Sequence, residues 1–327
     1  MSATRLGYEV IVSEAIPLAL PGRTPDGGAR TWAPVSTTLV FGREEAVLVD
    51  PPLTSAQAEA VADRVRAIGR RLTHIFATHA HGDHWFTAPS LADRFPGAQV
   101  VATGGTIAQM HRAAEARAGF WDKILPGQIP ASPVTAVAAE DLGNRLVLEG
   151  HALSVLGVGH SDTDDTSVLH IPDLDLVVSG DVVYNGVHQY LVESRDGGRD
   201  AWRRAIAAVE ALGARRIVAG HKNHRYDDDA DRQIRETRRY LADTDQLLET
   251  EPTPERFYSA MIRRHPDHLN RSSLWGSSQA LYRTAPRVPR RPPDGWSSWV
   301  RRVSVSPASQ PVGREEAGCR APAATTR

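Results

Sequence analysis

Three histidines and an aspartate fall within six residues, in Thr78-His79-Ala80-His81-Gly82-Asp83-His84. The residues just before, Leu72-Thr73-His74-Ile75-Phe76-Ala77, are apolar and β-branched and predict a short buried strand. A strand ending there delivers the polar run to the carboxyl edge of a sheet, where open α/β sheets place their ligand sites. Neutral imidazole and carboxylate are the ligands that zinc and similar divalent metals take. A solvated loop that is merely polar would rarely gather four ligand-type residues directly behind a strand.

The chain has 327 residues, room for one large α/β domain with an appendage. Its 38 basic and 39 acidic residues nearly cancel, so no global field favours nucleic acid or an anionic membrane. A single cysteine, Cys319, excludes an internal disulfide or a thiolate metal site. No apolar stretch approaches membrane-spanning length, and Met1 to Glu14 lacks the basic and apolar pattern of a secretory signal. The expectation is a cytoplasmic protein that acts on a small molecule.

Strands are expected at Leu6–Val12, Val35–Phe41 and Ala46–Asp50, with a Pro/Gly-rich loop between Pro17 and Pro34. Thr54 opens a helix, and Gln57 three residues on completes a capping box. A helix to Phe95, a strand at Ala98–Ala102 and a helix over 106–118 follow. Gly119 to Pro133 reads as a loop able to border a pocket. Strands at Arg145–Leu148, Ala152–Val158, Ser167–Ile171 and Leu176–Ser179 come next, then a helix from Asp200 to Gly213 and a strand at Arg216–Ala219. The expected organisation is a catalytic domain over 1–225, a helical extension over 226–284 and a disordered tail over 285–327, rich in Pro, Arg, Ser and Ala.

Each ligand-type cluster follows a strand: His79-x-His81-x-Asp83-His84, then Gly159-His160, Gly180-Asp181 and Gly220-His221. In order and spacing, over roughly residues 5–225, this resembles the metallo-β-lactamase superfamily. The resemblance implies a four-layer αβ/βα sandwich with two zinc ions at one edge, iron or manganese being possible in their place. It implies that His79, His81 and His160 hold the first metal, that Asp83, His84 and His221 hold the second, and that Asp181 bridges them. Asp50 matches the family acid that steadies a liganding histidine. The implied reaction is hydrolysis of an ester, lactone or amide by a hydroxide shared between the metals, with Asp83 relaying the proton to the leaving group.

Several features bear on the branch. His81 stands where flavodiiron reductases carry glutamate, and Asp181 stands where many β-lactamases carry cysteine or serine. Asp181-Val182-Val183-Tyr184 is similar to quorum-sensing lactonases, in which a tyrosine three residues past the bridging acid contacts the substrate carbonyl, so Tyr184 is the expected oxyanion donor. Trp85-Phe86 is bulkier than its counterpart in glyoxalase II thioesterases, and Ser161-Asp162-Thr163-Asp164-Asp165 replaces their Thr-Pro-Gly-His turn. A glyoxalase II-type thioesterase, a β-lactamase and a one-iron persulfide dioxygenase remain the alternatives. Lys222 to Arg225 are expected to form a surface loop, and His188 and Tyr190 either line the pocket or cap their loop.

Overall fold

Alternation within the strands sets the layering of the molecule. The computed structural model describes residues 5–283; the tail expected over 285–327 lies outside the described residues. The first sheet contains β1 (Gly7–Ser13), β4 (Val35–Phe41), β5 (Glu45–Val49), β6 (Arg71–Phe76), β7 (Gln99–Ala102) and β8 (Val137–Ala138), in the order β1-β4-β5-β6-β7-β8. Between β1 and β4, β2 (Ile16–Pro17) and β3 (Thr31–Trp32) form a two-residue ladder. The second sheet runs β13-β12-β11-β10-β9, from β9 (Arg145–Leu148), β10 (His151–Gly159), β11 (Thr166–Ile171), β12 (Leu176–Gly180) and β13 (Arg216–Ala219).

Successive side chains on a strand point to opposite faces. Val40, Val47, Val49 and Phe76 of the first sheet therefore meet Leu153, Val155, Leu169 and Val178 of the second in one core. Their neighbours Leu39, Leu48 and Ile75 turn outward against Ala58, Val61 and Val65 of α1 (Ser55–Ile68) and Leu91 of α2 (Ala88–Arg94). On the far side, Val168, Val177 and Ile217 meet Trp202, Ile206 and Val209 of α5 (Gly198–Glu210). Strands buried on both faces read as continuous apolar runs, and helix over sheet over sheet over helix is the four-layer αβ/βα sandwich.

The capping box of α1 is present: Thr54 Oγ1 accepts from Gln57 N, and Gln57 Oε1 accepts from Thr54 N. Two expected loops carry structure. The Pro17–Pro34 stretch includes the β2–β3 ladder, and Gly119–Pro133 includes α4 (Trp121–Ile124). The helix expected over 106–118 is α3 (Gly104–Ala116), which begins earlier because Thr103 caps it by accepting from Thr106 N. The C-terminal helices α6 (Ala230–Thr250), α7 (Pro254–Arg264) and α8 (Arg271–Tyr282) share the core outside the second sheet, through Ile234, Leu241, Phe257 and Leu274. None of the helices among the described residues is long and apolar enough to cross a membrane.

Asp26 ties the β2–β3 segment to these helices. Its Oδ1 accepts from Thr24 Oγ1 at 2.6 Å and from Tyr258 Oη of α7 at 2.8 Å, and its Oδ2 pairs with Arg271 of α8. Burial raises its pKa, but these hydroxyls and the Arg271 guanidinium outweigh that and hold the carboxyl well below its ordinary 3.8. A depressed carboxylate contributes stability above its unfolded pKa and loses it as pH falls through the folded value. Asp26→Asn is therefore expected to destabilise the fold by about 1–2 kcal/mol at pH 7, a fall of about 2–4 °C in Tm. The gap between melts of parent and variant should shrink progressively as pH falls from about 4 toward the much lower folded value of Asp26; a gap that does not shrink over that range would assign the loss to packing rather than charge.

Candidate metal centre

Five strands that run toward one edge of the sandwich are followed by ligand-type residues. Asp50 follows β5, the His79–His84 run follows β6, Asp162 follows β10, Asp181 follows β12 and His221 follows β13. Backbone bonds stitch the two sheets at this edge: Ser167 N donates to Thr78 O, and Ser36 N donates to Gly220 O, both at 2.8 Å. Two glycines permit the approach. Gly180, at φ +49°, has Thr78 where a Cβ would project, and a Cβ on Gly220 would strike the Asp181 carboxylate.

The histidines are oriented from behind. His79 Nδ1 lies 3.0 Å from Thr78 Oγ1, which donates to Asp50 Oδ2 at 2.8 Å, and Nε2 faces the interior of the site. His81 Nε2 lies 3.1 Å from Glu193 Oε1, leaving Nδ1 inward. His84 Nδ1 is 3.2 Å from Asp50 Oδ2. His221 Nδ1 donates to Pro34 O at 2.7 Å, so Nε2 faces Asp83 Oδ2 at 3.3 Å and Asp181 Oδ2 at 3.4 Å. A ring whose outer nitrogen is held by an oxygen presents a fixed inner lone pair, the arrangement of metal-ligating histidines.

Asp50, Asp83, Asp162 and Asp181 are fully buried. Buried carboxylates are stable only when paired or bound to a cation. Burial opposes charge on His84, yet Asp83, Asp181 and Asp50 push its pKa up to about 10. Burial would raise Asp83, but His84 and His221 hold it well below the carboxylate range. Buried atoms with no hydrogen-bond partner include His79 Nε2, His84 Nε2, Asp162 Oδ2 and Asp181 Oδ1. Among the described residues such donors converge in three sets compatible with a metal ion: His79, His84 and Asp181; Asp83, His84 and His221; and His79, His81 and Asp162. These imidazole and carboxylate donors fit a divalent metal centre of the zinc type.

Six of the seven expected ligands, His79, His81, Asp83, His84, Asp181 and His221, fall in these sets. His160 does not; its Nδ1 lies 2.6 Å from Asp164 Oδ1, and Asp162 faces His79 and His81 in its stead. Tyr184 is buried above the centre and stacks on His221 at 5.8 Å between ring centroids. Its hydroxyl donates to Asp181 Oδ2 at 2.6 Å, and burial together with Asp181 pushes the phenol well up, so it remains a donor. Asp50 takes up the supporting position, accepting from Thr78 N as well as Thr78 Oγ1. Sequence reasoning missed Trp32, whose Nε1 donates to Asp83 Oδ2 at 2.8 Å, and it missed Glu193.

A cavity of about 270 Å³ opens over the centre. Leu18, Leu20 and Trp32 of the β2–β3 segment form one wall with Phe120, Trp121 and Ile124, so the Gly119–Pro133 stretch does border a pocket. Helix α8 lines it through Ser273, Gly276 and Ala280, and Arg30 and Arg283 also border the space. Tyr190 lines it too, edge-on to His81 at 5.2 Å, whereas His188 is buried beside Tyr240. Lys222 pairs with Asp228, and it and Asn223 are buried rather than part of a surface loop.

The family model described as metallo-beta-lactamase superfamily matches residues 30–221, and the chain belongs to that superfamily. Among solved structures, the metallo-beta-lactamase family protein TTHA1429 from Thermus thermophilus has a TM-score of 0.57 at 20% identity, over 83% of this chain and 91% of that one. The DIM-1 metallo-beta-lactamase has a TM-score of 0.51 at 18% identity, over 74% of this chain and 99% of that one. At that identity the likeness is one of fold. A curated relative, hydroxyacylglutathione hydrolase of Parasynechococcus marenigrum (strain WH8102), is 29% identical over 148 residues, 44% of this chain and 49% of the relative. The chain spans half or less of the length of the curated relatives it matches.

Asp50 adopts φ +53°, a conformation that asparagine tolerates, so Asp50→Asn removes charge with little backbone strain. The variant is expected to fold but to bind zinc about 10–100-fold more weakly, because His79 and His84 lose their anionic support. Competition against a chromophoric chelator measures this; unchanged affinity in a folded variant would reduce Asp50 to a turn residue.

Proposed function

We propose that this protein is a dinuclear zinc-dependent hydrolase of an ester, lactone or amide with an apolar body. The observation that carries the reading is the convergence of buried imidazole and carboxylate donors on one point, each histidine held from behind. His79 and His81 would hold one metal, Asp83, His84 and His221 the other, and Asp181 both. The motif offers His160 as a third ligand for the first metal. Two divalent cations so placed supply a nucleophile from water near neutral pH and polarise a carbonyl oxygen.

The chain's own groups do the rest. The apolar walls exclude water and bind the substrate's hydrocarbon part, while Arg30 or Arg283 can meet an anionic end. Asp83, at the floor of the cavity, is placed to pass a proton to the leaving group, and Trp32 fixes its rotamer. Thioester hydrolysis is the second reading, favoured by the partial match to a hydroxyacylglutathione hydrolase. Trp85 and Phe86 do not oppose it, since both are buried in the core and leave the cavity clear. The second donor set, Asp83, His84 and His221, speaks against a one-iron dioxygenase.

Protein purified without chelator and reconstituted with zinc should contain two metal ions per chain by elemental analysis. In a panel of lactones, aryl esters, thioesters and β-lactams, activity should vanish with chelator and return with zinc. Stoichiometry fixed at one with excess zinc would rule out the dinuclear centre.

Tyr184 invites a separate test. The sequence assigns its hydroxyl to the substrate oxyanion, whereas the hydroxyl donates to Asp181. We expect Tyr184→Phe to loosen Asp181 and weaken zinc binding about 10–100-fold. Full metal content with kcat lower by about 10²–10³ would instead assign the oxyanion role.

A further inference from the structure

We infer that the third protein ligand at the His79–His81 end of the centre is the carboxylate of Asp162, in place of His160. The inference rests on the two-metal reading above and concerns which residue completes it. Asp162 Oδ2 lies 2.8 Å from His81 Nδ1 and 3.9 Å from His79 Nε2. These separations bracket the roughly 3.3 Å between two ligand atoms of a tetrahedral zinc with bonds of about 2.0–2.1 Å. Asp162 Oδ2 and His79 Nε2 are both buried without a hydrogen-bond partner. Glu193 engages His81 Nε2, which makes Nδ1 the lone-pair nitrogen when the ring is neutral.

The local backbone fixes this choice. Ser161 N donates to Thr163 O, closing a tight turn that points residue 162 inward. Asp162 Oδ1 accepts from Ser161 Oγ at 3.0 Å, which leaves Oδ2 for the site. Glu193 clamps the turn to the ligand run, with Oε1 against His81 Nε2 and Oε2 accepting from Thr163 Oγ1 at 2.8 Å. His160 leans the other way. Its Nδ1 meets Asp164, and its Nε2, although also buried without a hydrogen-bond partner, sits against Gly198 at the start of α5, where a Cβ would come within 2.9 Å, and not among the donors that converge with His79 and His81. Exchanging imidazole for carboxylate makes this end more anionic and harder, which moves its preference toward manganese and ferrous iron relative to a three-histidine end.

The test compares parent, Asp162→Ala, Asp162→Asn and His160→Ala, each loaded with excess zinc or cobalt(II), dialysed and analysed for metal per chain. Circular dichroism melts confirm folding, and the cobalt absorption spectrum reports the ligand field. Asp162→Ala should fall from two metals to one. Asp162→Asn, nearly isosteric, should lose at least tenfold in zinc affinity by chelator competition, and it decides the matter if the alanine variant does not fold. His160→Ala should keep two metals and the parent's cobalt spectrum. Two metals retained in Asp162→Ala, parent-like affinity in Asp162→Asn, or loss of a metal in His160→Ala overturns the inference. A parent that never holds two metals overturns the dinuclear reading itself, and this inference with it.

Discussion

Four carboxylates and four imidazoles are packed into one water-excluded edge where two sheets meet, and much of the surrounding structure serves to hold them there. An ionised carboxylate in a low-dielectric interior is unstable unless opposing charge lies close by. Each acid here has such charge or a donor: Trp32 and His221 beside Asp83, Tyr184 on Asp181, Thr78 on Asp50 and His81 beside Asp162. The cluster is still not closed, because several of its inward nitrogens and oxygens have no hydrogen-bond partner. A protein interior ordinarily satisfies nearly all such atoms. That shortfall at His79 Nε2, His84 Nε2, Asp162 Oδ2 and Asp181 Oδ1, four donor atoms of one cluster, is the physical mark of a site whose last component is a cation.

The sandwich makes this crowding possible by the same alternation that builds its core. Val47 and Val49 of β5, Val178 of β12 and Val218 of β13 bury one face between the sheets, which brings the ends of these strands together. The chain then leaves each strand in a polar turn at that edge. Gly180 and Gly220 remove the two side chains that would otherwise occupy the space taken by Thr78, Asp181 and His84. The short Gly-Asp and Gly-His pairs are thus one device: the glycine admits the neighbouring strand, and the next residue delivers a ligand.

Much of this was legible in the sequence, and what was not has identifiable causes. The strands, the capping box at Thr54 and the ligand-type residues after β6, β12 and β13 follow from local periodicity and short motifs. The Pro17–Pro34 stretch carries no such signal, since a two-residue ladder is too short to show a period; yet it delivers Trp32 to Asp83. Glu193 sits in an irregular segment 112 residues from His81, and nothing local marks it as a partner. The turn after β10 is subtler. His160 and Asp162 are both ligand types two residues apart, and a motif cannot tell which faces inward, because the choice depends on how tightly Ser161 and Thr163 close the turn.

The C-terminal helices extend the argument from chemistry to selection. Their contacts with the sandwich are apolar and deep, through Ile234, Leu241, Phe257 and Leu274, so α8 is held as a fixed wall of the cavity. A second wall comes from α4 and the β2–β3 segment; it packs on Trp85, Phe86 and Leu125 and is tied to α7 and α8 by Asp26 and by Ser272 Oγ, which accepts from Thr31 N at 2.8 Å. Trp32 packs edge-on against Trp121 in this wall and donates to Asp83 Oδ2, so one side chain belongs both to the cavity lining and to the metal centre. The shape of the cavity and the placement of the Asp83 carboxylate are thus coupled through a single indole.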